Sequence, residues 1–229
     1  SQMLPQPHWD TLGSLDPKPD VTILAGDNVY GDCIDSKGKP DQSCANLRKA
    51  YNELASHQSF LGAKATLPMV ATLDDHDYGL GNANNNNPHK DVAKELFLDF
   101  FGEDQSSERR REGDGVYASY EWGPPGRRLQ IVLLDVRYSR SEFISTGNPS
   151  APFLPDHNES KRMMSEDQWL WMEDQLSRPA NLRLVVSSVQ AMANGSNFEG
   201  WGMIPHERER LYNLLAPHTA SSRIIIVSG

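Results

Sequence analysis

The chain has 229 residues, and its 22 Lys and Arg against 31 Asp and Glu give a formal net charge of -9. With 38% hydrophobic and 23% charged residues, the composition is typical of a soluble globular protein and unlike that of a disordered chain. The negative charge argues against a stable nucleic-acid complex, because such binding needs a basic face that displaces counterions. The length suffices for one sizeable core, so we predict a single domain over residues 1–229.

The apolar runs and the cysteines bear on the cellular location. Runs such as 131–134 and 224–227 are far shorter than the roughly 20 residues that cross a bilayer, so we expect no membrane span and interpret them as buried strands. The chain begins at Ser1 without a leader, and any signal peptide would precede it. Cys33 and Cys44 share one polar loop, where they form a disulfide in an oxidising compartment or remain two thiols.

Strand-like and helix-like segments alternate along the chain, which indicates an α/β fold. The predicted strands are 21–25, 68–73, 116–122, 129–134, 183–186 and 223–227, and the predicted helices are 45–56, 90–101, 165–176 and 205–215. Gly123-Pro-Pro-Gly126 separates the third and fourth strands and predicts a hairpin. In the second helix we expect Val92, Leu96, Phe97 and Phe100 to face the core, and a capping box at Ser165 opens the third helix.

Polar clusters follow three of these strands. Gly26-Asp27-Asn28 follows the first, Asp74 to Asp77 follows the second, and Asp135 and Arg137 follow the hairpin. In open α/β sheets ligands bind outside the carboxyl ends of the strands, so we expect these clusters to converge. Carboxylates brought together repel one another unless a cation lies between them. The pattern therefore predicts a metal site.

Each cluster also has a simpler interpretation. Asp27 is compatible with a turn that caps the next segment, and the acidic run with a solvated loop. Arg137 is compatible with an ion pair to Asp135 or another carboxylate. The chain has no Gly-x-Ser-x-Gly elbow, no phosphate-binding loop and no Gly-x-Gly-x-x-Gly after a strand, which argues against serine hydrolases and nucleotide-binding folds. The combination of three polar strand ends favours the metal site.

Five segments in order give the chain a family resemblance: Asp27 to Tyr30, Leu73 to Tyr78, Phe97 to Gly102, Leu134 to Arg137, and Gln168 to Trp171. Together they resemble the alkaline phosphatase D family of calcineurin-like metallophosphoesterases over essentially the whole chain. The resemblance implies a four-layer α-β-β-α sandwich that hydrolyses small phosphate monoesters and diesters. It also implies a centre of two or three metals, built around iron and calcium with other divalent metals possible, and export to the periplasm or the exterior.

Metal ligands carry over from the family by position. Asp27 corresponds to the carboxylate that bridges the metals, and Tyr30 to the phenolate ligand of ferric iron. Asp75 stands where related phosphoesterases have an Asn ligand. Asp32 and Asn82 are further candidate ligands.

Two catalytic residues are implied in the same way. His76 corresponds to the histidine that contacts the phosphoryl or leaving-group oxygen, and Arg137 to the phosphate-contacting arginine. The implied reaction is an in-line attack on phosphorus by a metal-bound hydroxide.

The resemblance also has gaps at both ends of the chain. The family's Gly-Ser-Cys and Gly-Asp-x-His segments, which supply further ligands, lie outside the sequence, so we expect a fragment of low activity. The alternative function is a non-catalytic protein of the same fold that calcium stabilises. The natural ester and the oligomeric state stay open.

Overall fold

A computed structural model describes residues 2–35, 37–111, 113–193 and 195–229. The chain divides into two compact units. The first unit comprises Ser1–Ala83 and Asn87–Ser107, and the second comprises Asn84–Asn86 and Glu108–Gly229. Both units contain helices and strands, so the predicted mixed α/β class is confirmed.

A parallel strand pair with four helices makes up the first unit. Its elements are α1 (His8–Ser14), β1 (Thr22–Leu24), α2 (Ala45–Ser56), α3 (Gln58–Thr66), β2 (Met69–Ala71) and α4 (Lys90–Phe101). Thr22 pairs with Met69 and Leu24 with Ala71. The bounds of α2 and α4 are those that the sequence predicted, whereas both strands are shorter and α1 and α3 were missed. The short α1 buries one residue, Trp9, so its apolar periodicity is weak.

Helix α4 corrects one core prediction. Leu96 and Phe97 are buried as expected and Phe100 is half-buried, but Val92 is exposed and Ala93 is buried in its place. The buried stripe is therefore rotated by about one residue, or roughly 100° around the helix axis. Gly102 ends the helix in the left-handed conformation with φ 76°, as its position predicted.

A disulfide joins Cys33 to Cys44 in the first unit, which settles the two alternatives that the sequence left open. The Cys33 N–H donates to the Gly79 carbonyl at 2.6 Å, so the disulfide loop is tied to the segment that follows β2. Gly79 has φ 85°, and a Cβ there would lie 2.5 Å from the Cys33 sulfur. Only glycine fits this contact without displacing the disulfide.

A four-stranded sheet organises the second unit. Its elements are β3 (Ala118–Trp122), β4 (Leu129–Leu133), β5 (Ile144–Ser145), β6 (Phe153–Leu154), α5 (Glu166–Ser177), β7 (Leu182–Ser187), α6 (Pro205–Leu215) and β8 (Arg223–Ser228). The sheet order is β3-β4-β7-β8. The predicted hairpin is confirmed as the antiparallel pair β3 and β4, and the other neighbours are parallel. Among the helices of the described residues, none is both long and apolar enough to cross a bilayer.

Buried polar contacts fix the carboxyl end of β4. The Asp135 carboxylate accepts hydrogen bonds from the backbone N–H groups of Val116, Arg137 and Tyr138, each at 2.9 Å. The side-chain amide of Gln168 bonds both the N–H and the carbonyl of Asp135. Ser165 caps α5 as predicted, since its Oγ accepts the Gln168 N–H at 3.1 Å. The backbone around Arg137 is therefore held from two sides.

Candidate metal centre

The parallel pairing of β1 and β2 brings two polar strand ends together. Leu24 lies opposite Ala71, so Asp27 and Asp75 leave the same edge of this small sheet. Ligand atoms of Asp27, Asp75 and His76 all lie within 4.8 Å of one another. Three of the predicted site residues therefore converge, although 48 positions separate the two carboxylates in the sequence.

Tyr30 joins this cluster through Asp27. The Tyr30 hydroxyl donates to Asp27 Oδ2 at 3.0 Å, and the Tyr30 ring lies 4.6 Å from the His76 ring between centroids. The buried side chain of Gln2 holds the Tyr30 backbone like a strand partner. Its Oε1 accepts the Tyr30 N–H at 3.0 Å, and its Nε2 donates to the Tyr30 carbonyl at 3.2 Å. Sequence reasoning missed Gln2, because an amide near the chain start carries no motif.

Backbone geometry fixes the two carboxylates. Asp27 has φ 49°, a left-handed conformation that follows Gly26 and turns the chain sharply after β1. Asp75 accepts the His76 N–H at 2.9 Å on one oxygen and the Asn82 N–H at 2.6 Å on the other. Asn82, a further candidate ligand, thus contacts Asp75 through its backbone.

The electrostatics of the cluster favour a cation. Burial raises the pKa of Asp27, and the neighbouring charge of Asp75 raises it further. Burial and the hydrogen bond to Asp27 also raise the pKa of Tyr30 to about 12. The negative forms of these groups are thus unfavourable together, and a positive ion would relieve both the desolvation and the repulsion.

One buried oxygen in the cluster points to the same conclusion. Asp27 Oδ1 is shielded from solvent and has no hydrogen-bond partner among the residues that the structure describes. A buried acceptor without a partner is unfavourable by about 1–3 kcal/mol. Carboxylate oxygens, a phenol oxygen and an imidazole make a donor set that suits iron, manganese, zinc or calcium. The residues present therefore fit the metal that the resemblance implies.

His76 is paired with a second carboxylate. Its Nδ1 lies 2.9 Å from Asp32 Oδ1, so Nε2 is the ring nitrogen that can meet a substrate or a metal. The hydrogen bond to Asp32 raises the pKa of His76 to about 9, with the charges of Asp75 and Asp27 adding to it. Without metal, the imidazole is thus protonated at neutral pH. Asp32 was a candidate ligand, and here it orients the histidine.

The buried carboxylate of Asp77 connects the two loops that carry the cluster. It accepts the N–H groups of Asn28, Val29 and Asp74 at 3.1, 3.2 and 3.1 Å. The Tyr51 hydroxyl donates to it at 3.3 Å, and the Asn28 amide at 3.0 Å. Burial raises the pKa of Asp77 to about 7 against the opposing effect of these N–H groups. In the sequence Asp77 is one of four adjacent polar residues, and nothing distinguishes it from Asp75.

Arg137 belongs to the second unit, where it forms an ion pair. Its guanidinium group bonds both oxygens of Glu199, at 2.8 and 2.7 Å, and Arg140 bonds the same carboxylate at 2.9 Å. Both arginines are almost fully buried, and the Glu199 side chain is 14% exposed. The pair to another carboxylate is thus present, although the partner is Glu199 rather than Asp135.

The family model described as PhoD-like phosphatase matches residues 9–229. The chain belongs to the PhoD-like phosphatase family. A solved structure described as "Structure of PhoD" is similar to it in fold, with a TM-score of 0.66 at 16% sequence identity. The match covers 95% of this chain and 47% of that chain, so this chain spans about half the length of that PhoD. A search of curated proteins found no match.

A first prediction concerns the hydrogen bonds that the buried carboxylate of Asp77 accepts. Asp77→Asn replaces one acceptor oxygen by an N–H donor that faces other donors. We expect a loss of about 2–4 kcal/mol in the free energy of unfolding, measured by urea denaturation. Asp20→Asn, a matched change at an exposed aspartate just before β1, should stay within about 0.5 kcal/mol. Equal stability of the two variants would show that the hydrogen bonds to Asp77 do not stabilise the fold.

A second prediction concerns His76 in chelator-treated protein. An NMR titration should give a pKa of about 9 for His76. Asp32→Asn should move this pKa towards the ordinary value, because it weakens the hydrogen bond that raises it most. Because the folded-state pKa is raised, this interaction stabilises the fold fully below pH of about 6.5, and the contribution disappears as the pH rises through about 9. Asp20→Asn is the control. An Asp32→Asn titration identical to that of the parent would show that Asp32 does not set this pKa.

Proposed function

We propose that the protein is a metal-dependent hydrolase of phosphate monoesters and diesters. The observation that carries the proposal is the convergence of Asp27, Asp75 and His76, in which a buried oxygen of Asp27 has no hydrogen-bond partner among the described residues. Membership in the PhoD-like phosphatase family supports it. Iron and calcium are the proposed metals by resemblance, other divalent ions being alternatives. The four-layer sandwich, as one catalytic domain, is part of the same proposal.

In this proposal Asp27, Asp75 and Tyr30 hold the metal centre. A metal bound there supplies Lewis-acid charge that polarises a phosphoryl oxygen and lowers the pKa of a ligating water. The Tyr30 phenol must lose its proton to become a ligand, and its raised pKa makes metal affinity increase with pH. Gln2 keeps the phenol oxygen beside Asp27 while this proton leaves. Asp32 and Asn82 lie next to these three ligands and do not belong to them.

His76 is the proposed proton donor at the leaving oxygen. Asp32 keeps its Nδ1 engaged and its ring protonated, which are the two properties that a general acid at Nε2 needs. A cavity of about 280 Å³ lies against His76, Tyr30 and Asp32. We propose that it receives the leaving group of a small phosphate ester. Besides His76, Lys49 is the one cation that the described residues place at its wall, and it lies 3.6 Å from Glu53, so the cavity favours small and weakly charged groups.

Arg137 is the proposed phosphate contact. Its planar guanidinium group can donate two parallel hydrogen bonds to two phosphoryl oxygens, as it does to the two oxygens of Glu199. A phosphoryl group that takes the same two terminal nitrogens therefore competes with Glu199 for them. In this proposal Glu199 offsets part of the charge of the two buried guanidinium groups until substrate arrives.

The setting of the enzyme is also a proposal. The Cys33–Cys44 disulfide is compatible with an exported protein, because such bonds persist in oxidising compartments. The net charge of -9 favours small-molecule substrates over nucleic-acid partners. Substrate capture then depends on local cations and not on a broadly positive surface.

The test of the function uses the protein in its full natural length, reconstituted with iron and calcium and assayed on chromogenic phosphate monoesters and diesters. We expect His76→Ala to lower turnover at least about a hundredfold while metal content, measured by mass spectrometry, stays unchanged. Asp27→Asn should lose both metal and turnover. The matched control is His157→Ala, at an exposed histidine.

Two outcomes would contradict the proposal. Hydrolysis that is equal in the parent and in His76→Ala would remove His76 from the reaction. Bound metal without hydrolysis of any ester would favour the alternative, a non-catalytic protein that calcium stabilises.

A separate prediction tests the contact between Arg137 and Glu199. Glu199→Gln removes the competing charge, so we expect the inhibition constant of inorganic phosphate to fall about tenfold. Glu166→Gln is the matched control, because Glu166 also bonds both oxygens to one arginine, Arg210, but on the surface. It should change phosphate inhibition less than about twofold. Unchanged inhibition in Glu199→Gln would make the pair purely structural.

A further inference from the structure

The second unit contains a cavity of about 420 Å³ at the amino ends of its parallel strands. Arg128 directly precedes β4 and Asn181 directly precedes β7, and both line the cavity. Asp135 and Arg137 lie beyond the opposite, carboxyl end of β4. The volume is within the range of sites for small organic molecules, roughly 300–1,000 Å³. The proposed hydrolytic reaction makes no use of this cavity.

The wall of the cavity is cationic. Arg128, Arg178 and Arg183 line it, and among the described residues no carboxylate does. Two carboxylates lie outside the wall: Glu121, 3.7 Å from Arg128 and 3.8 Å from Arg178, and Asp174, 3.3 Å from Arg178. They stand against three guanidinium groups. The positive charge at this wall therefore exceeds the negative charge beside it.

Arg183 is the buried member of the group, with 2% of its surface exposed. Its two terminal nitrogens bond neutral oxygens, the Gln130 side chain and the Arg178 carbonyl. Its Nε is shielded from solvent and has no hydrogen-bond partner among the described residues. Burial lowers the pKa of Arg183, and the nearby charge of Glu121 opposes this only in part. A buried cation with an unused donor is a strong site for an anion.

We infer that this cavity binds the phosphate group of a small phosphate ester or diphosphate. Guanidinium groups match phosphate oxygens with several charge-assisted hydrogen bonds, and three arginines line this cavity. The volume exceeds that of one phosphate group, and Pro125 and Pro179 provide an apolar wall for a small organic substituent. This inference does not depend on the proposed hydrolytic function, because it uses no residue of the candidate metal centre.

Pyrophosphate is the probe for the test, added to chelator-treated protein so that no metal competes for it. Calorimetry should show binding, and the Nε–H resonance of Arg183 should shift in NMR spectra during the same titration. Arg178→Ala, at a half-exposed side chain, and Arg128→Ala should each weaken binding at least about tenfold. Arg162→Ala, an exposed arginine outside the cavity, should change it less than about twofold.

The Asp27→Asn variant separates this site from the candidate metal centre. Undiminished pyrophosphate binding in Asp27→Asn, together with its loss in Arg178→Ala, would support the inference. Binding that Asp27→Asn abolishes and Arg178→Ala leaves unchanged would overturn it. An unshifted Arg183 resonance at millimolar pyrophosphate would overturn it as well.

Discussion

The candidate site depends on the buried carboxylate of Asp77. Strands β1 and β2 pair over only three residues each, too few to fix the loops that follow them. Asp77 accepts N–H groups from the loop after β1 and from the turn after β2, and it thereby joins the backbone that carries Asp27 to the backbone that carries Asp75. The carboxylates of Asp27 and Asp75 repel one another. They stay within ligand distance because the buried carboxylate of Asp77 is hydrogen-bonded to the backbone segments that carry them.

The properties of the cluster follow from that constraint. Asp27 cannot move away from Asp75, so burial and the nearby charge raise its pKa, and the part of the chain that the structure describes offers one of its oxygens no donor. Proteins tolerate such an arrangement where a cation completes it. Tyr30 and His76 are held beside the carboxylates by Gln2 and Asp32, which take no direct part in the cluster. Family membership and this local chemistry therefore support the same proposed function from independent observations.

The convergence of Asp27, Asp75 and His76 could be predicted from sequence because it needs only two rules, apolar runs as strands and ligands at their carboxyl ends. The bounds of α2, α4 and α6 followed from periodicity and stop signals. The contacts that hold the site residues in place could not be predicted, since each joins residues that are distant in the sequence. Glu199 lies 62 positions from Arg137 and Gln2 lies 28 from Tyr30. Only the fold determines which polar residue turns inward.

The most direct test of the metal centre is anomalous diffraction from crystals grown with iron or manganese. We expect an anomalous peak at about 2.0–2.6 Å from carboxylate oxygens of both Asp27 and Asp75. We also expect that the Tyr30 hydroxyl exchanges its bond to Asp27 for one to the metal. A well-ordered cluster without a peak at saturating metal, or a peak bound only by other residues, would contradict the account.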